Sequence, residues 1–156
     1  MLARCLMLFF SSAPVLAQPY NVKAHVLRLK PGQDIYGELT SYVSTHKIMA
    51  ASIISAVGSV TEANLRFANK QEGTLIKGPL ELLSLSGTTS FEGTHLHMSV
   101  ADGEGKTTGG HLLIGTKVYT TLEIVIASYE GISFKRILDK TYGYKELDVQ
   151  PLRKGK

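Results

Sequence analysis

Apolar and polar residues alternate along the chain from Val22 to Leu29, which predicts a half-buried β-strand that ends before Pro31-Gly32. From Asp34 onward, apolar positions recur at spacings of three and four residues, the period of an amphipathic α-helix. The stripe consists of Ile35, Leu39, Tyr42, Val43 and His46. The acidic side chain of Asp34 suits the positive end of the helix dipole, so the helix is expected to begin beside it.

The rest of the chain predicts strands. Ile48 to Val60 is a continuous small-apolar and serine-rich run, which is consistent with a strand covered on both faces, and Gly58 is expected to break it. Shorter strand candidates follow, separated by glycine-rich turns: 64–68, 75–77, 80–86, 94–101, 111–114, 118–128 and 146–149. The β-branched run at 118–128 is expected to be central in the sheet. The prediction is a single α+β domain, with an antiparallel or mixed sheet of about seven or eight strands and one main helix.

Three histidines form the most specific chemical pattern. His95 and His97 are two residues apart and therefore lie on one face of a strand. The turn-forming segment 102–105 follows, and a hairpin centred on Glu104 places His97 directly opposite His111, with Cβ atoms about 5 Å apart. We expect three imidazoles to meet on one small patch.

Three convergent imidazoles suit Zn²⁺, with a fourth tetrahedral position left for water or another ligand. Alternatively, they are ordinary polar residues on an exposed strand face. Glu92 and Asp102 are candidates for orienting an imidazole or acting as a base, whereas Glu104 is expected to be a solvated turn residue. His25 and His46 are assigned to the strand surface and helix face, outside the site.

Motifs for other chemistries are absent from the sequence. Residues 103–108 lack the spacing of a phosphate-binding P-loop, and no G-x-S-x-G nucleophile motif occurs. Cys5 is the single cysteine, which excludes a disulfide framework and a cysteine-based zinc site. No apolar stretch approaches the ~20 residues that a membrane-spanning helix requires.

The basic charge lies at the two ends of the chain. Of 17 basic residues, four lie outside residues 18–150, and the remaining 13 balance the 13 acids. The four are Arg4, Arg153, Lys154 and Lys156. Within the body only Lys135-Arg136 forms a basic pair, so charge gives no support for direct nucleic-acid binding.

Residues 1–17 resemble a secretory signal, because they contain an early arginine, a short apolar run and small residues near Ala17. The alternatives are a transit peptide and an extension without a function. A cleaved signal predicts secretion, and otherwise the protein is expected in the cytoplasm or nucleus. The predicted organisation is a leader at 1–17, a domain at 22–149 and a basic tail at 150–156.

The histidine segments also resemble a known family. Residues 93–102, 109–113 and 118–126 are similar to the plants and prokaryotes conserved (PPC) domain, also designated DUF296. Further matching segments are 53–58, 78–87 and 142–147, so the resemblance spans roughly Val22 to Val149.

The resemblance implies an α+β homotrimer that binds zinc through His95, His97 and His111. Plant members of the family carry AT-hooks that enter the DNA minor groove, but no R-G-R-P hook occurs in this sequence, which resembles the stand-alone prokaryotic type. A zinc-binding regulatory or DNA-associated module is therefore expected. The alternative is a zinc-dependent hydrolase or lyase that acts on a small molecule, with Glu92 or Asp102 as base.

Overall fold

The computed structural model describes residues 20–152, which form one helix and eight strands. In chain order these are β1 (Val22–Leu29), α1 (Ile35–Thr45), β2 (Ala51–Arg66), β3 (Thr74–Ser90), β4 (Gly93–Ala101), β5 (Thr107–Leu112), β6 (Lys117–Tyr129), β7 (Ile132–Leu138) and β8 (Lys145–Pro151). The predicted leader at 1–17 lies outside the described residues. Of the predicted tail, 153–156 also lies outside, and 150–151 belongs to β8.

Six strands form one antiparallel sheet in the order β1-β6-β2-β3-β4-β5. The sheet curls until β5 meets the end of β2, where Leu65 pairs with Leu112 and Arg66 pairs with His111. β7 and β8 form a separate hairpin. The α+β prediction is confirmed, and β6 lies in the interior of the sheet, as its β-branched sequence predicted.

Helix α1 begins where the sequence predicted. The Oδ1 atom of Asp34 accepts a hydrogen bond from the Gly37 amide at 2.8 Å, and its Oδ2 accepts one from the Gly115 amide at 2.6 Å. Ile35, Leu39 and Val43 are buried in the main hydrophobic core between helix and sheet. One carboxylate therefore caps the helix and also fixes it to the loop before β6.

Two predictions about strands were wrong. Glycines expected to break strands lie inside the long strands β2 and β3 instead. Gly58 and Gly78 lie at register shifts of the β2 pairings, where a bulge absorbs an extra residue. Strand β7 was not predicted, because its three buried residues, Ile132, Ser133 and Phe134, are followed by a charged, exposed end without clear alternation.

Within residues 20–152, no helix is long and apolar enough to cross a membrane.

Candidate metal centre

All three predicted histidine ligands come from one hairpin. His95 and His97 lie on β4, and His97 pairs with His111 of β5 in the register that the sequence predicted. The row continues across the curled sheet, because Ser86 of β3 pairs with His97 and Arg66 of β2 pairs with His111. Side chains of directly paired residues share a face, so the curl places Arg66 beside the imidazoles.

The imidazoles are close enough to share a metal ion. The Nε2 atoms of His95 and His97 are 3.2 Å apart, and one ring nitrogen from each of the three residues lies within 4.8 Å of the others. Two nitrogens bound tetrahedrally to zinc at ordinary bond lengths are about 3.3 Å apart. The His95–His97 pair already has this spacing.

His111 is the most perturbed of the three. Its Nδ1 atom is buried and has no hydrogen-bond partner within the described chain. Burial, followed by the charge of Arg66, lowers its pKa to about 4, and burial and Arg136 also lower the pKa of His95. At neutral pH both rings are uncharged and present the lone pairs that a metal requires. An unsatisfied buried nitrogen also calls for an ion or a water.

No carboxylate of residues 20–152 joins the histidine cluster. A metal held by three imidazoles therefore keeps one tetrahedral position free for an external ligand, the arrangement of catalytic rather than closed structural zinc sites. The three side chains fit a divalent, nitrogen-preferring metal on donor type, number and spacing.

The two predicted accessory carboxylates lie in different places. Glu92 lines the same cavity as the histidines and has Lys135 Nζ 3.7 Å away. Asp102 lies at the far end of the hairpin, where its Oδ1 accepts hydrogen bonds from the Glu104 and Lys106 amides. Ala101 lies four residue steps along β4 from His97, about 13 Å, and Asp102 follows it. Asp102 therefore organises the turn and is not brought to the cluster.

The cavity beside the cluster measures about 530 Å³. Five of the other side chains that line it were not among the predicted site residues: Tyr36, Arg66, Arg136, Tyr144 and Glu146. Three of these lie on β7, on β8 or in the loop between them, a hairpin that covers the open side of the histidines. The basic pair Lys135-Arg136 was the available signal, and it was considered only as a candidate for nucleic-acid binding.

Curated relatives match this chain over a minor part of their own length. Bifunctional protein GlmU of Synechococcus sp. (strain JA-2-3B'a(2-13)) is 43% identical over 145 residues, covering 91% of this chain and 23% of that protein. AT-hook motif nuclear-localized protein 13 of Arabidopsis thaliana is 32% identical over 120 residues, covering 67% of this chain and 26% of that protein. The chain thus spans about a quarter of the length of these relatives.

Solved structures share the fold nearly end to end. A hypothetical protein from Salmonella matches with a TM-score of 0.83 and 36% identity, covering 86% of this chain and 97% of that one. A metal-containing protein from Archaeoglobus fulgidus matches with a TM-score of 0.70 and 28% identity, covering 83% of this chain and 96% of that one. A plant- and prokaryote-conserved (PPC) protein from Pyrococcus horikoshii matches with a TM-score of 0.70 and 23% identity, covering 88% of this chain and 100% of that one.

The family model confirms the resemblance seen in the histidine segments. The model of the Plants and Prokaryotes Conserved domain, there abbreviated PCC, matches residues 17–130. The match includes all three histidines and ends before the β7–β8 hairpin. Since it covers more than half of the sequence, this chain belongs to the Plants and Prokaryotes Conserved (PPC) domain family.

Proposed function

We propose that this chain is a zinc-binding PPC domain that holds the metal through His95, His97 and His111. The observation that carries the proposal is that one ring nitrogen from each of the three residues lies within 4.8 Å of the others. In addition, the Nδ1 atom of His111 is buried and has no hydrogen-bond partner within the described chain. The metal-containing Archaeoglobus relative, 28% identical, supports a metal at this fold. Zinc is proposed because imidazole nitrogens in a tetrahedral arrangement suit it best.

Metal analysis of the purified protein tests this proposal. We expect about one zinc per chain in the wild type and none in the His95→Ala/His97→Ala variant. His46→Ala is the matched control, because His46 is exposed and its ring bonds the Tyr42 carbonyl on helix α1. A wild type without metal after purification in zinc-containing buffer would refute the proposal.

We propose further that the chain assembles as a homotrimer. Large apolar side chains are exposed on three strands of the main sheet: Val26 on β1 is 79% exposed, Val57 on β2 58% and Leu83 on β3 55%. Apolar surface of this kind favours association with further copies. Sedimentation equilibrium is expected to give three times the chain mass, and a monomer across the concentration range would contradict it.

A regulatory role near DNA is proposed from the plant relative alone, whose name includes an AT-hook motif. This chain has no R-G-R-P hook, and its basic and acidic residues balance between residues 18 and 150. We therefore propose an interaction module rather than an autonomous DNA-binding protein. Binding to DNA through phosphate contacts would weaken steeply as the salt concentration rises. A filter-binding assay with DNA is expected to show no such salt-dependent binding.

Hydrolysis or elimination on a small molecule is the second candidate function, favoured by the free coordination position and by Glu92 in the same cavity. Bound zinc would supply Lewis acidity and a water acidified toward neutral pH. The Glu92 carboxylate is the candidate base, and Lys135 Nζ lies 3.7 Å from it. Glu92→Gln is expected to abolish turnover in a small-molecule screen while zinc content stays unchanged; turnover equal to wild type would exclude Glu92 as base.

A further inference from the structure

Two arginines with no carboxylate partner line the cavity beside the histidines. The four ion pairs found among residues 20–152 all involve lysine, so neither Arg66 nor Arg136 has a carboxylate oxygen within 4.0 Å. Both guanidiniums nevertheless lie on the cavity wall. A guanidinium in a half-enclosed site binds planar anions bidentately when one is available.

The fold holds the two arginines on different sides of the cluster. Arg66 pairs with His111 across β2 and β5. Arg136 reaches over from β7 and donates a hydrogen bond from Nη2 to Thr88 Oγ1 at 2.5 Å, and Thr88 is paired with His95. The bond to Thr88 uses one of the five N–H donors of Arg136 and leaves others for a ligand.

Both arginines belong to the same site as the imidazoles. The Arg136 side chain is partly buried and lines the cavity together with His95, His97 and His111. Arg66 lines it as well and is paired with His111. The cavity, the proposed metal ligands and the two cations therefore form one site.

Acidic groups restrict which anion fits. Glu146 lines the cavity and favours the charged form of Arg136, while Glu92 is already close to Lys135. Two carboxylates on the wall disfavour a multiply charged anion such as phosphate more than a singly charged carboxylate. The rings of Tyr36 and Tyr144, also on the wall, offer surface to an organic body.

We propose that this cavity binds a small organic carboxylate, one oxygen of which completes the coordination of the metal while the other is bound by the Arg136 guanidinium. The proposal rests on the three-histidine metal site proposed above. The volume of about 530 Å³ accommodates a molecule of metabolite size. Arg66 adds a second positive charge on the His111 side.

The test uses protein loaded with Co²⁺, a visible-absorbing substitute for spectroscopically silent zinc. Benzoate, acetate and inorganic phosphate are titrated into the wild type, Arg136→Gln and Arg28→Gln. Arg28 is the matched control, because it is an exposed arginine that also donates to a threonine hydroxyl, Thr121 Oγ1 at 3.2 Å, and does not line this cavity. Bound cobalt and circular dichroism are measured for every variant.

We expect benzoate to shift the cobalt absorption of the wild type and of Arg28→Gln, with affinity at least about tenfold weaker in Arg136→Gln. Acetate is expected to bind more weakly than benzoate, and phosphate more weakly than either. The inference is overturned if metal-loaded protein shows no carboxylate response, responds equally in Arg136→Gln, or prefers phosphate. Failure of cobalt to bind at all would instead refute the metal site.

Discussion

His97 and His111 occupy directly opposite positions on neighbouring antiparallel strands, and the centroids of their rings are 5.6 Å apart. The third imidazole, His95, lies two residues away on the same strand and 4.9 Å from the His111 ring. A single hairpin thus supplies every proposed metal ligand. The convergence of the three ligands therefore follows from the register of that hairpin.

Replacing His111 by leucine is expected to stabilise the metal-free protein while it removes metal binding. The buried Nδ1 atom lacks a partner in the described structure, and an apolar side chain of similar size removes that desolvation cost. We expect a gain of about 0.5–1 kcal/mol in the free energy of unfolding, measured by urea denaturation with a chelator present.

His46→Leu is the control for this prediction, because the exposed His46 ring already bonds the Tyr42 carbonyl. It is expected to retain the metal and to gain no stability. A His111→Leu protein that is less stable than metal-free wild type would show that the imidazole has a structural role instead.

Asp102 is expected to affect folding and not metal affinity. Its carboxylate accepts hydrogen bonds from the amides of Glu104 at 3.0 Å and Lys106 at 2.9 Å, which closes the turn of the hairpin. Asp102→Ala should lower the free energy of unfolding by about 1 kcal/mol, with zinc affinity within about twofold of wild type. Glu104→Ala, in the same turn, should change neither; loss of zinc affinity in Asp102→Ala at unchanged stability would return Asp102 to the site.

Gly87 is expected to be indispensable to the position of His95. Gly87 has a φ of 132°, and a Cβ atom there would lie 2.1 Å from the His95 carbonyl oxygen on the adjacent strand. Gly87→Ala must therefore separate β3 from β4 or strain the backbone, at a cost of about 3 kcal/mol or more, with weakened metal binding.

Gly103→Ala provides the comparison, because a Cβ at Gly103 meets nothing within 4 Å and its φ is not in the left-handed region. Its stability should stay within about 0.5 kcal/mol of wild type by thermal denaturation. Equal stability of the two variants would contradict the proposed close approach of β3 and β4.

Local patterns in the sequence were sufficient to predict the cluster itself. Two residues on one strand share a face, and the short turn around Glu104 fixes which residues lie opposite each other, so His97 and His111 could be paired without tertiary information. The start of α1 was predictable for a similar reason, since Asp34 caps a helix that it directly precedes.

The rest of the cavity depends on contacts that no local pattern records. Arg66 reaches His111 only because the sheet curls until β5 meets β2. Arg136 and Glu146 belong to the β7–β8 hairpin and line the cavity from there. That hairpin is held in position by packing of Phe134 and Ile132 with Ala50. Glu92 and Asp102 were both predicted as accessory carboxylates, because each lies just beyond one end of β4. Glu92 lines the cavity with the histidines, whereas Asp102 lies in the turn at the far end of the hairpin.

The stability of the metal-free protein is expected to fall as the pH drops, with His25 making a separable contribution. The His25 ring bonds Tyr42 Oη at 2.9 Å and Ser128 Oγ at 2.8 Å, between β1, α1 and β6. Burial lowers its pKa below 6.5, and the positive charges of His46 and Lys23 act in the same direction.

Because the unfolded chain binds this proton at a higher pH than the folded chain does, folding stability rises with pH over the interval between the two pKa values. The contribution of His25 is therefore complete above pH 6.5 and is lost as the pH falls through the lower pKa of the folded state. Urea denaturation with a chelator, at about pH 7.5 and about pH 5, is expected to show a smaller loss of stability in His25→Gln than in wild type. His95 and His111 titrate in both proteins, so the difference isolates His25. An equal loss in the two proteins would show that His25 takes up its proton equally in the folded and unfolded states.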